Sequence, residues 1–87
     1  LYESLYQLYQ NPIDLNRATY EDLASMYVLS EIQIKSLLEH RQKNGDLLSI
    51  YELQAIPNFD LEIIRQILPF VEVRDKLSKN SVLGIYN

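Results

Sequence analysis

Eighty-seven residues, 47% of them apolar and 23% charged, have the composition of one ordinary small globular domain. The chain has no cysteine, one histidine and two glycines, so disulfides, iron–sulfur clusters, thiolate or multi-histidine metal sites, P-loops and dinucleotide-binding loops are all excluded. A net charge of −4, from 8 basic and 12 acidic residues, opposes a phosphate backbone unless a basic face gathers locally. No apolar run reaches the roughly 20 residues needed to cross a bilayer, and no signal peptide is visible. The chain opens on Leu1, and we expect it to be a segment of something longer.

Leu1, Leu5 and Leu8 fall on one stripe, with Tyr2, Tyr6 and Tyr9 beside it at the same spacing. This predicts a short amphipathic helix closed by Asn11-Pro12. Residues 1–12 are expected to pack on the repeat that occupies the middle of the chain. The tyrosine stripe reads either as part of that packing or as an aromatic contact surface for a partner.

Shifting the chain by 30 positions brings residues 18–38 and 48–68 into register. Leu23 meets Leu53, Ile34 meets Ile64 and Leu38 meets Leu68. Thr19 meets Ser49, Leu29 meets Phe59, and Ser30 meets Asp60. Each copy reads as a short helix, a tight hairpin and a longer helix. Thr19 with Asp22, Ser30 with Gln33, and Ser49 with Glu52 have capping-box spacing. Asp60 is a fourth cap without a box partner. Ile32, Ile34, Leu37 and Leu38 predict a broad apolar face on the first long helix. Gly45, after Arg41 and Lys43, predicts its C-terminal stop. Pro57 interrupts the second hairpin, and Pro69 ends the second long helix. The predicted fold is all-α, two pseudo-twofold helix-hairpin-helix units with about five short helices in all. The units span 18–45 and 48–70 within a domain of 13–70, and 71–87 reads as an extended tail or linker.

The opening stretch Ile13-Asp14-Leu15-Asn16-Arg17-Ala18-Thr19 resembles the "INxAT" opening of tandem helix-hairpin-helix domains. Leu38-Glu39-His40-Arg41-Gln42-Lys43-Asn44-Gly45 resembles their "I-x-x-R-x-x-x-G" link, and Ser49-Ile50-Tyr51-Glu52-Leu53 their restart. Together, residues 13–73 resemble the DNA-binding domain of ComEA-type competence proteins. In that family each hairpin carries a Gly-Ile-Gly-like triplet whose backbone N–H groups contact DNA phosphates without reading sequence. The resemblance carries that role onto Val28, Leu29 and Ser30 and onto Asn58, Phe59 and Asp60. It also implies a periplasmic or cell-envelope setting; the residues themselves name no compartment.

This chain departs from the pattern at the triplets, where all four glycines are replaced. A β-branched Val28 is strongly disfavoured at positive φ, so the first hairpin should differ in geometry from a phosphate-binding one. Asn58 tolerates the left-handed region, so the second can keep its path. Asp60 puts a carboxylate where a phosphate would meet the helix N-terminus. Lys35, Arg41, Lys43 and Arg65 are the candidate basic contacts; the plainer reading makes them solvated charges paired with Glu31, Glu39 and Glu62. His40 reads as a surface or helix-end residue. No pairing of carboxylates, nucleophile or base marks an active site, so no catalysis, cofactor, metal or small-molecule substrate is expected. Two functions remain: a non-catalytic module that binds a protein partner or a downstream domain, and weak sequence-nonspecific binding of double-stranded DNA through the hairpins. The acidic balance and self-capped hairpins favour the first.

Overall fold

The structure is a computed structural model, which describes Gln7 and residues 10–74. The expected N-terminal helix and its tyrosine stripe therefore lie almost wholly outside the described residues, as does the tail beyond Arg74. Gln7 and Gln10 are helical, and the Asn11 amide donates to the Gln7 carbonyl at 2.8 Å.

In chain order the described elements are strand β1 (Ile13–Asp14), helix α1 (Tyr20–Ala24), helix α2 (Glu31–Asn44), a 3₁₀ helix (Ile50–Ala55), helix α3 (Leu61–Ile67), a 3₁₀ turn (Leu68–Phe70) and strand β2 (Val71–Glu72). Side-chain caps set where the helices begin. Thr19 opens α1 and Ser30 opens α2, each with a complete capping box. Asp60 opens α3 by accepting the Ile63 amide at 2.9 Å. Gly45 ends α2: at φ 82 and ψ −165 it occupies backbone space essentially confined to glycine, costing a side-chain-bearing residue about 1–3 kcal/mol, while its own amide bonds the Arg41 carbonyl.

Three features differ from the sequence reading. The fold is mostly helical but not all-α, because β1 and β2 pair in parallel with Ile13 opposite Val71 and Asp14 opposite Glu72. The Leu15 amide extends this ladder to the Glu72 carbonyl at 2.8 Å. The chain thus joins its own beginning to the far side of Pro69, and Val71 is buried in the core.

The second short helix is 3₁₀ rather than α, and its expected capping box does not close. Ser49 accepts from the Tyr51 amide, and the Glu52 carboxylate reaches back past Ser49 to the Leu48 amide at 2.8 Å. Ile56, directly before Pro57, is extended (φ −86, ψ 130), as proline demands of its predecessor, so the helix has little room to lengthen.

Ile32 does not join the apolar face of α2 and is 64% exposed. It stands two residues, roughly 200° of helical rotation, from Ile34 and so points the other way. Ile34 and Leu37 are buried and Leu38 half-buried.

The core is one cluster drawn from every part of the described chain. It runs from Leu15 and Ala18 through Leu23, Met26, Leu29, Ile34, Leu37 and Leu47 to Leu53, Ile56, Phe59, Ile64, Ile67 and Val71. No described helix is long and apolar enough to cross a membrane.

Candidate nucleic-acid interface

The two hairpins begin from short helices and end on capped ones. In the first, the Met26 and Tyr27 amides bond the Leu23 and Ala24 carbonyls, and the chain then turns through Tyr27 at φ 58. In the second, Ile56 and Pro57 lead into Asn58 at φ 72, and the Phe59 amide returns to the Ile56 carbonyl at 3.2 Å. The left-handed residue is therefore Asn58 in one hairpin and Tyr27, not Val28, in the other. A β-branched side chain resists positive φ, and the turn is displaced one position toward the N-terminus. The two hairpins thus differ from each other in which residue takes the left-handed position.

The middle residue of each triplet faces inward. Leu29 and Phe59 are both buried, and Val28 packs half-buried against the same core. Exposed at the tips are Tyr27 and Ser30 in the first hairpin and Pro57, Asn58 and Asp60 in the second.

A network ties the two tips together. Gln33 accepts the Ser30 amide at 2.8 Å through Oε1 and donates to the Asn58 carbonyl at 3.1 Å through Nε2. Asn58 in turn donates its side-chain amide to Ser36 Oγ at 3.0 Å. Gln33 is thus both the partner in the first capping box and the bridge to the second hairpin. Its sequence spacing marked only the first role.

These contacts use groups that a phosphate would need. Ser30 Oγ accepts the Gln33 amide at 3.2 Å, Gln33 holds the Ser30 amide, and Asp60 accepts the Ile63 amide, so two free N–H groups are taken at the start of α2 and one at the start of α3. Glu31, Asp60 and Glu62 put carboxylates at the same two helix starts. A phosphate oxygen about 4 Å from the Asp60 carboxylate would meet a repulsion of about 1 kcal/mol in water-like surroundings and about 4 kcal/mol near a protein surface.

The candidate cations are not gathered around the tips. Lys35 pairs with Glu31 at 3.3 Å, the i,i+4 pair expected from its spacing. Arg41 is turned inward, donating through Nη1 to the carbonyls of Leu15 and Ala18 at 2.8 Å each. Lys43 lies in the last turn of α2, about 20 Å of helix from Ser30. Arg65 borders a separate groove on α3.

Three interactions were not legible as such in the sequence. Asn16 accepts the Leu47 amide at 2.7 Å and donates to the carbonyls of Leu47 (3.1 Å) and Arg74 (3.0 Å). Asp14 accepts the amides of Asn16 and Arg74, while its other carboxylate oxygen is buried without a hydrogen bond, 3.8 Å from Arg17 Nε. Asn16 and Arg41 were visible as letters of the opening and link motifs. Their reason is now plain: both satisfy backbone groups where the chain has no ladder of its own.

The third is the pair of His40 and Glu52. His40 is not a surface residue; its side chain is only 12% exposed and its Nε2 lies 2.7 Å from Glu52 Oε2. The Asn44 side-chain amide stands 3.2 Å from Nδ1, so both ring nitrogens of His40 have a polar neighbour, Nε2 facing Glu52. Glu52 is held below its ordinary 4.5, first by the Leu48 amide and then by the His40 hydrogen bond and charge, against the opposing effect of burial. A carboxyl depressed on folding stabilises the native state fully above its unfolded value and loses that contribution as pH falls through the folded value. We therefore expect the advantage of the native chain over Glu52→Gln, read by thermal melts, to be present above the ordinary carboxyl value of 4.5 and to fade as pH falls below it. A difference independent of pH across that value would show that the carboxylate charge is not what these contacts hold.

The comparisons agree with the hairpins. No curated protein and no solved structure matches the chain. The family model described as the helix-hairpin-helix motif matches residues 9–72, which takes in β1, both hairpins and β2, and the chain belongs to that family.

Proposed function

We propose that the chain is a non-catalytic tandem helix-hairpin-helix module, of the ComEA type in its architecture, that binds a protein partner or a neighbouring domain of its own chain rather than DNA. The observation that carries this reading is the occupancy of the hairpin tips. Asp60 and Ser30 cap their own helices, Gln33 and Asn58 join the tips to each other, and the carboxylates of Glu31, Asp60 and Glu62 stand where phosphates would approach. Arg41, the most buried of the four candidate cations, serves the opening segment instead. The approximate repeat of the two units supports the pseudo-twofold arrangement, and the ComEA resemblance supports a place in a longer cell-envelope protein.

One observation favours the DNA reading: Asn58 has the positive φ that a glycine would supply at that place in the resembled hairpin. A fluorescence-anisotropy titration with a duplex of about 20 base pairs separates the two. The native chain is expected to bind no tighter than the nonspecific range of about 10⁻⁴–10⁻⁶ M at physiological salt. The double variant Asn58→Gly, Asp60→Gly removes one charge and frees backbone N–H groups at the second tip. It is expected to stay folded and to gain up to about tenfold at low salt, the gain shrinking as salt rises. Submicromolar binding by the native chain with a steep salt slope would overturn the protein-binding reading.

A further inference from the structure

Part of the exposed apolar surface of the domain is gathered in one place, while Tyr27, Ile32 and Leu48 are exposed outside it. Of the six large hydrophobic side chains most exposed among the described residues, Tyr51 (77%), Leu61 (62%) and Leu68 line a single groove. Ile50 and Ile64 lie deeper in it, and Gln54 and Arg65 supply its polar groups. The groove runs between the 3₁₀ helix and α3 and holds about 290 Å³. Leu61, Ile64 and Arg65 of α3 and Leu68 of the following 3₁₀ turn recur at helical spacing, so the exposed Leu61 and Leu68 flank the buried Ile64 along one side of the groove.

Charge narrows what can cover it. Arg65 is the single charged residue in the lining, in a chain of net charge −4. Among the described residues no carboxylate lies within ion-pair distance of it, although Glu62 stands three positions earlier on the same helix. Glu52 of the facing 3₁₀ helix is engaged by His40 and the Leu48 amide. An apolar trough with one uncompensated cation at its edge complements an apolar ridge with one anion beside it. It does not complement a duplex, whose phosphate spacing calls for several cations and no greasy floor. An amphipathic helix meets the requirement, since its i, i+3, i+4 and i+7 side chains form such a ridge and the flanking position carries the charge.

We propose that this groove is the docking site for an amphipathic helix of a partner protein bearing a carboxylate beside its apolar stripe. Leu61, Ile64 and Leu68 receive the apolar side chains, Tyr51 closes one wall, and Arg65 pairs with the carboxylate. The proposal rests on the protein-binding reading above and assigns it a surface that begins at Leu61, beside the second hairpin tip, and runs along α3.

The test uses the full chain, labelled with ¹⁵N, and a synthetic alanine-based peptide of about 14 residues with leucines at i, i+3, i+4 and i+7 and one flanking glutamate. Saturable shifts are expected at Ile50, Gln54, Ile64 and Leu68. Replacing the peptide's glutamate with lysine should weaken binding about fivefold, the worth of one exposed ion pair. Arg65→Glu in the protein should reverse that preference. Tyr51→Ala and Leu61→Ala, both at exposed positions, should weaken binding about tenfold with melting temperatures unchanged. No shift at millimolar peptide, shifts at the hairpin tips instead, or a charge preference unmoved by Arg65→Glu would each overturn the proposal. Titrating the same sample with duplex DNA keeps the two ideas apart. Tight duplex binding at the tips overturns the proposed function, whereas a silent duplex with a silent peptide overturns only the groove.

Discussion

Phe59→Ala is expected to cost about 3–5 kcal/mol, a large part of the stability of any domain this small. Phe59 is 7% exposed and belongs to the single core cluster, which draws on both hairpins. It sits directly after Asn58, whose left-handed backbone aims the ring inward. Removing the ring loses its transfer free energy and leaves a cavity that α3 and the 3₁₀ helix would have to collapse to fill. Urea denaturation followed by circular dichroism measures the loss, with Phe59→Leu as a control expected to lose less because it keeps most of the apolar volume. A cost below about 1 kcal/mol would mean that the ring does not hold the second hairpin to the core.

Asn16→Ala is expected to cost about 2–3 kcal/mol although it removes little apolar surface. Three hydrogen bonds leave with the side chain, and they join three stretches distant in sequence: the opening segment, the link at Leu47 and the exit at Arg74. The Leu47 side chain is buried, and its amide would have to find a new acceptor or go without. Asn16→Asp separates geometry from hydrogen-bond polarity. It can still accept the Leu47 amide but sets a carboxylate oxygen against two carbonyls, so it should be at least as damaging near neutral pH and recover in part as pH falls. Hydrogen exchange at the Leu47 amide gives the local readout, with protection lost in both variants. Retained protection and a loss below about 0.5 kcal/mol would show that the β1–β2 pairing closes the domain without Asn16.

How far the candidate site was legible depends on the range of the interactions that build it. The caps at Thr19, Ser30 and Asp60 could be placed because capping is decided within three or four residues of chain. The left-handed Asn58 and the unsuitability of Val28 for positive φ are likewise properties of one residue and its own backbone. Ile32 was assigned to the apolar face because it is apolar, and only its angle relative to Ile34 shows that it faces solvent. The capping box at Ser49 failed for a different reason: Glu52 had a better use, with His40 and the Leu48 amide on offer once α2 lay alongside.

The amino-acid sequence alone was enough for the helix starts, the stop at Gly45, the two hairpins with their buried middle residues Leu29 and Phe59, and the absence of the residue types that most metal and nucleotide sites require. Each of these rests on local backbone preference or on simple inventory. Tertiary structure decided that the segment after Pro69 returns to pair with Ile13–Asp14, that Arg41 faces inward to the Leu15 and Ala18 carbonyls, that Gln33 and Asn58 bind the tips together, and that His40 meets Glu52. A polar side chain has many partners it could satisfy, and which one it meets depends on where the rest of the core places the backbone. The same holds for the groove beside Arg65, where Leu61 of α3 and Leu68 of the 3₁₀ turn stay exposed because no other described element comes across to cover them.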